Sequence, residues 1–308
     1  MKPSMKLRLL PVAASLWWFS ALLMAQRDIG RVVPPGQPLH VIAFGDFGTG
    51  SPQQAAVARA MAQRNLQEHF QLGITMGDNF YRCGVRSVND EKWRTRWEDL
   101  YTPLGFPFYA SLGNHDYGHP PIICPAERGS PEAEIAYTAH SNSWRMPSRY
   151  YSFKAGAVLF VAIDTEGWSS AQLAWIEKTL AEAAHDPTIK WKIVYGHHPV
   201  FTSGVHLNER RIDELRRELL PVMQAAHVDA YICGHDHDLE HLKSDGMDFF
   251  ICGGGGARLR KFYRKEKESV FAASRFAFLD LEIQDHNLSA QFLDTDLKSL
   301  EHPVNLVK

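Results

Sequence analysis

Apolar and polar positions fall in blocks along this chain, and the blocks end in the same way again and again. Leu39-His40-Val41-Ile42-Ala43-Phe44 is a nearly continuous apolar run that stops at Gly45-Asp46-Phe47-Gly48-Thr49-Gly50. A run of that length closed by glycines predicts a buried strand giving way to a turn. Ser51 can then cap a helix, with Pro52 at its first position and Gln54 three residues past the cap, and Ala55, Val57, Ala58 and Met61 follow near helical spacing.

The unit recurs. Residues 70–76 lead into Gly77-Asp78-Asn79-Phe80-Tyr81, residues 106–112 into Gly113-Asn114-His115-Asp116, and residues 158–163 into Asp164-Thr165. Residues 191–195 then lead into Gly196-His197-His198, and Tyr231-Ile232-Cys233 into Gly234-His235-Asp236-His237. Helices are predicted over 170–184 and 208–226, and further strands over 248–252, 275–283 and 288–293. Helices alternating with strands early, then a strand-rich end, predict an α/β fold with a two-sheet core flanked by helices. In such folds ligand sites gather beyond the carboxyl ends of strands, so residues far apart in sequence converge on one cleft. The glycines at 45, 48 and 50 have the spacing of neither a dinucleotide fingerprint nor a phosphate-binding P-loop.

The ends of the chain read differently. Lys2, Lys6 and Arg8 precede a mostly apolar run from residue 9 to 25, the charge order of a secretory signal peptide with Ala25 as a processing point. Leu23 is a poor match three residues before that point, which leaves an N-terminal anchor as the alternative, short for a span that needs about 20 residues. The expected organisation is a signal peptide or anchor over 1–25, a short leader over 26–38, one catalytic domain over 39–296 and a C-terminal tail over 297–308. The expected location is exported, periplasmic or extracellular.

Composition excludes several classes. With 45% apolar and 22% charged residues, the chain of 308 residues can bury a large core and is not compositionally disordered. Loss of the three N-terminal cations would take the formal charge from -2 to -5. That argues against a nucleic-acid partner, which calls for basic patches to offset phosphate. The densest basic stretches, residues 209–217 and 258–261, read as a solvated helix face and a loop. Four cysteines are too few to define a disulfide scaffold, and Cys233 and Cys252, each ending an apolar run, read as buried thiols.

Asp46, Asp78, Asn114, His197, His235 and His237 supply carboxylate, amide and imidazole groups, each close to a glycine and a strand end. One such residue is an ordinary turn cap or a hydrogen-bonded core histidine. Together they suit zinc, iron or manganese better than calcium, which takes oxygen ligands. His235 and His237, two apart in an extended segment, would point to the same side. Six candidates plus Tyr81 exceed what one catalytic ion needs while keeping a place for water, whereas two ions sharing a carboxylate use them all.

These five blocks, in this order, resemble the calcineurin-like metallophosphoesterase superfamily, and Tyr81 narrows the resemblance to purple acid phosphatases, especially the small tartrate-resistant type. The resemblance runs from about residue 41 to residue 256. It implies a ferric ion on Asp46, Asp78, Tyr81 and His237, and a second ion (Fe2+, Zn2+ or Mn2+) on Asp78, Asn114, His197 and His235, with Asp78 as the bridge. It also implies that His115 contacts the phosphate or protonates the leaving group and that His206, nine residues beyond His197, is a second active-site histidine. Asp116 and Asp236 are expected to orient ligands, and Asp164 fits either strand-end support or the metal shell. The implied activity is hydrolysis of phosphate monoesters, on a small molecule or a phosphoprotein; the alternative is a phosphodiesterase or nucleotide phosphatase. Cys83 and Cys124 lie five residues past Asp78 and ten past Asn114, so a shared metal site is expected to bring their loops together as a disulfide, with two free thiols as the alternative.

Overall fold

The computed structural model describes residues 26–28, 33, 37–118, 124 and 129–308. The expected signal peptide or anchor lies outside the described residues. Among the described residues, no helix is long and apolar enough to cross a membrane.

Fifteen strands form two sheets among the described residues. The first runs β1 (Gln26–Asp28), β6 (Tyr151–Ala155), β7 (Val158–Ala162), β8 (Trp191–Tyr195), β9 (Ala230–Cys233), β11 (Met247–Cys252), β10 (Leu239–Ser244), β12 (Ser269–Ala273). The second runs β15 (Val304–Val307), β14 (Asn287–Asp294), β13 (Ala277–Gln284), β2 (Leu39–Phe44), β3 (Leu72–Met76), β4 (Phe108–Ser111), β5 (Trp144–Arg145). In the second sheet β2, β3 and β4 are parallel neighbours, and in the first sheet so are β7, β8 and β9. These two parallel blocks carry all the predicted strand-end motifs.

Burial on both faces explains why these strands are continuous apolar runs rather than alternating ones. In β7, Val158, Phe160 and Ala162 join the core between the sheets, while Leu159 and Val161 pack outward with Ile176, Leu180, Leu215 and Leu219 of the covering helices Ser170–Ala183 and Arg210–Ala225. Phe160 is fully buried. Truncating such a side chain to alanine costs about 3–5 kcal/mol, a cavity term added to lost transfer energy.

The first helix, Pro52–Glu68, starts where its signals place it: the Ser51 hydroxyl accepts from Gln54 N at 3.2 Å, and the Gln54 side chain reaches back to accept from Gly50 N at 2.7 Å. Both terminal segments contribute strands. The 26–38 leader contributes β1, which adds in parallel to β6. The 297–308 tail is not outside the domain: β15 pairs antiparallel with β14, and Glu301 Oε2 lies 3.5 Å from His241 Nδ1, with both side chains nearly buried. The edge of β14 has unpaired backbone groups to satisfy, and a four-residue strand is enough to do it.

Candidate metal centre

Every predicted donor sits just past the end of a parallel strand. Asp46 follows β2, Asp78 and Tyr81 follow β3, and Asn114 follows β4; His197 follows β8, and His235 and His237 follow β9. The oxygen donors thus come from one sheet and the nitrogen donors from the other. Asp46, Asp78 and His235 all adopt left-handed backbone conformations, with φ of 57°, 52° and 71°. Strain of this kind, of order 1–3 kcal/mol per residue, persists where the surroundings over-determine it. Here Asp46 Oδ2 accepts from His235 N at 2.9 Å and Asp78 Oδ1 from His115 N at 2.9 Å. The glycines beside them are steric requirements: a Cβ at Gly113 would come within 2.4 Å of Asp78 Oδ1, and one at Gly234 within 2.2 Å of Asp46 Oδ2.

The donors form two groups. In one, Tyr81 Oη lies 3.2 Å from Asp46 Oδ1 and 3.0 Å from His237 Nε2, and the last two are 3.4 Å apart. In the other, His197 Nε2 is 3.0 Å from Asn114 Oδ1, 3.1 Å from His235 Nδ1 and 3.5 Å from Asp78 Oδ1. Asp78 also interacts with the Tyr81 hydroxyl, so it touches both groups. The expectation that His235 and His237 share a side is corrected. The left-handed turn at His235 breaks the extended segment, and the two rings go to different groups.

The ring nitrogens that face away from the cluster decide what this arrangement can hold. His197 Nδ1 donates to the Met76 carbonyl at 2.8 Å, His237 Nδ1 to the Arg258 carbonyl at 2.9 Å, and His235 Nε2 to the Glu209 carboxylate at 2.7 Å. A neutral imidazole has one N–H, so the nitrogens facing inward present lone pairs. Burial, followed by the neighbouring His198 and His197, holds His235 well below its ordinary pKa and so neutral. Burial acts to lower the His197 pKa, but the charges of Asp78 and Asp46 outweigh it and raise it above the usual value, so a proton on His197 Nε2 serves the 3.1 Å His197–His235 contact in the place that a metal cation would take. Burial, then the charges of Asp78 and Asp46, push the Tyr81 phenol well above its usual range. A cation alongside is what would ionise it. The donor set therefore fits two metal ions, with every outer nitrogen braced by an acceptor.

The remaining predicted residues are close by. The His115 ring donates from Nδ1 to the Arg82 carbonyl, which turns Nε2 toward the cluster, 3.9 Å from Asp78 Oδ2. His206 Nδ1 donates to Asp236 Oδ1 at 2.8 Å, and its Nε2 accepts from Arg260 Nη1 at 2.5 Å. Asp116 accepts from the backbone N–H groups of Gly113, Asn79 and Phe80, so it shapes both ligand loops, and burial, then the Asp78 charge, push its pKa up to about 7. Asp164 accepts from Tyr117 and from Gly167 N, contacts that support the strand end. Cys83 and Cys124 are joined as a disulfide, while Cys233 and Cys252 are buried free thiols.

Glu209 and Arg260 were missed: both lie in the stretches read as solvated surface. Donor atoms of His198, Glu209 and His235 lie within 4.8 Å of one another. The whole centre opens into a cleft of about 810 Å³, bordered by Trp168, Arg210, Arg211 and Glu214.

Two sheets meeting at a dinuclear set of carboxylate, amide and imidazole donors define a metal-dependent phosphoesterase. Residues 25–239 match the calcineurin-like phosphoesterase family, and the chain belongs to that family. It is 30% identical to purple acid phosphatase 3 of Arabidopsis thaliana, over 89% of this chain and 80% of that one. It is 27% identical to tartrate-resistant acid phosphatase type 5 of Rattus norvegicus, over 88% of this chain and 91% of that one. Two solved structures share the fold. GAP50, the anchor in the inner membrane complex of Plasmodium, superposes with a TM-score of 0.74 at 23% identity, over 88% of this chain and 90% of that one. Purple acid phosphatase PPD1 from yellow lupin seeds does so with a TM-score of 0.69 at 20% identity, over 89% of this chain and 55% of that one.

Proposed function

We propose that the protein is an exported acid phosphatase that hydrolyses phosphate monoesters. Asp46, Asp78, Tyr81 and His237 hold a ferric ion, and Asp78, Asn114, His197 and His235 hold Fe2+, Zn2+ or Mn2+. The observation that carries this reading is the contact of Asp78 with both donor groups, together with three imidazoles whose outer nitrogens are braced by acceptors. When bound, the two cations neutralise phosphoryl charge and lower the pKa of water that attacks phosphorus.

The chain's own residues do the rest. His115, tethered through Nδ1, presents Nε2 on the cleft side, where a proton held there can pass to the departing alkoxide. His206 and Arg260 form a unit braced by Asp236, and its guanidinium places a fixed positive charge beside the phosphoryl oxygens. Asp116 and Asp236 keep the ligand loops in place. Export rests on the charge order of the first 25 residues. The complete donor set speaks against a scaffold with a relic site.

The test is metal analysis of purified protein coupled to turnover of monoester and diester substrates from acid to alkaline pH. Two metals per chain, iron among them, with monoesters preferred in acid support the reading. Preference for diesters, or bound metal without turnover on either, would refute it.

A further inference from the structure

Beside the metal centre, on the side of Tyr81 and His237, lies a second recess of about 490 Å³ that shares His115, His237 and Arg260 with the main cleft. Its other charged residues are Arg82, Arg96 and Arg258, and among the described residues no carboxylate lines it. The main cleft differs: there Glu166, Glu209 and Glu214 offset Arg210 and Arg211, and Arg211 is already paired with Glu214 at 2.5 Å. Among the described residues, a lining that has arginines and no carboxylate is therefore confined to the Tyr81 side.

The four arginines are not equivalent. The Arg96 guanidinium donates to the carbonyls of Gly48 and Tyr81, so it builds the floor of the recess. Arg82 and Arg258 work the other way round. Each gives its backbone carbonyl to a site histidine, Arg82 to His115 and Arg258 to His237, which fixes the main chain at the metal centre. Both residues are exposed, and among the described residues neither guanidinium is paired with a carboxylate. Arg260 lies at the junction, its Nη1 2.5 Å from His206 Nε2.

We infer that Arg82, Arg258 and Arg260 form a subsite for a second phosphoryl group of the substrate, so that the enzyme selects small phosphate esters carrying two phosphates. A guanidinium presents paired N–H donors matched to phosphate oxygens, and desolvation in a recess strengthens such contacts. With one phosphoryl group at the metal centre, a second one a few bonds away would enter the recess, because no acidic side chain repels it there. This inference rests on the phosphomonoesterase reading above.

The experiment compares ethylene glycol monophosphate with ethylene glycol bisphosphate, whose departing alkoxides have the same two-carbon backbone and differ by the second phosphate, in the metal-loaded wild type, R258Q and R82Q/R258Q. The wild type is expected to favour the bisphosphate in kcat/KM by about tenfold or more, the effect of one charged hydrogen-bonded contact. R82Q/R258Q should lose at least about tenfold more on the bisphosphate than on the monophosphate, and R258Q an intermediate amount, with metal content and thermal midpoint retained. No wild-type preference, or equal losses on both esters, overturns the subsite. If neither ester is turned over, the phosphatase reading itself has failed. The subsite is then decided by calorimetric binding of methylenediphosphonate against methylphosphonate: selective loss of the diphosphonate in R82Q/R258Q supports it, and equal binding to wild type and variant overturns it.

Discussion

Glu209 Oε2 lies 2.7 Å from His235 Nε2, on the side of the ring turned away from the other donors. The contact fixes the tautomer of His235 and makes its inner nitrogen a better electron-pair donor. Outer acceptors of this kind are worth about ten- to a hundredfold in metal affinity. Glu209→Gln should therefore weaken the second ion by about that factor while leaving the ion at Tyr81 bound. Competitive chelator titration of each metal gives the answer, and equal loss of both ions would contradict a role confined to His235.

Tyr81→Phe keeps the ring and removes the oxygen 3.2 Å from Asp46 Oδ1. Asp46, Asp78 and His237 would remain to hold the ferric ion proposed above. Visible absorption, which arises from phenolate donation into ferric iron, should fall far more than iron content does. Resonance Raman at matched ferric content checks this, and surviving phenolate vibrations would remove Tyr81 from the ligand set.

The His115 ring is held by a backbone carbonyl, lies 3.9 Å from Asp78 Oδ2 and packs on the Tyr81 ring with centroids 4.4 Å apart, but none of its atoms belongs to either donor group. His115→Ala should cut turnover of an alkyl phosphate by roughly a hundred- to ten-thousandfold, and that of an activated aryl phosphate by much less. Metal content should hold. Equal losses on the two esters would favour electrostatic positioning over proton donation.

The motifs that were legible in the sequence share one physical cause. A polar residue at the end of a buried parallel strand is announced by the apolar run before it and the glycine beside it, which is why Asp46, Asp78, Asn114, His197, His235 and His237 stand out in the sequence as candidate donors. Glu209 had no such announcement. It stands at the N-terminal cap of an amphipathic helix among arginines, where a glutamate is ordinary, and only the turn at His235 brings the two together. Arg260 was hidden for the same reason, in a charged loop whose path is set by a hydrogen bond from its N–H to the His237 carbonyl at 3.0 Å. β15 was illegible because one buried residue, Val304, leaves no alternation to detect in four positions.

His241 ties the C-terminal segment to the first sheet through Asp248 at 2.7 Å and Glu301 at 3.5 Å. Burial acts to lower its pKa, but hydrogen bonds to these two carboxylates outweigh that and raise it above the usual value. A raised folded-state value means the pairing stabilises most below the unfolded pKa of about 6.5 and fades as pH climbs through the folded one. The stability gap between wild type and His241→Gln in urea should therefore be widest in acid and narrow toward alkaline pH. A gap that widens with pH would reverse the sign of this argument.

Because oxygen ligands come from one sheet and nitrogen ligands from the other, neither layer alone completes the donor set of either ion. Full coordination waits until the layers have docked, which would make tight loading a late event of maturation rather than a guide to folding. Ions added to a refolding chain should leave the folding rate unchanged and slow unfolding, since they act on contacts absent from the transition state. Stopped-flow refolding with and without metal measures this, and faster folding with metal would mean that the two halves of the cage meet early.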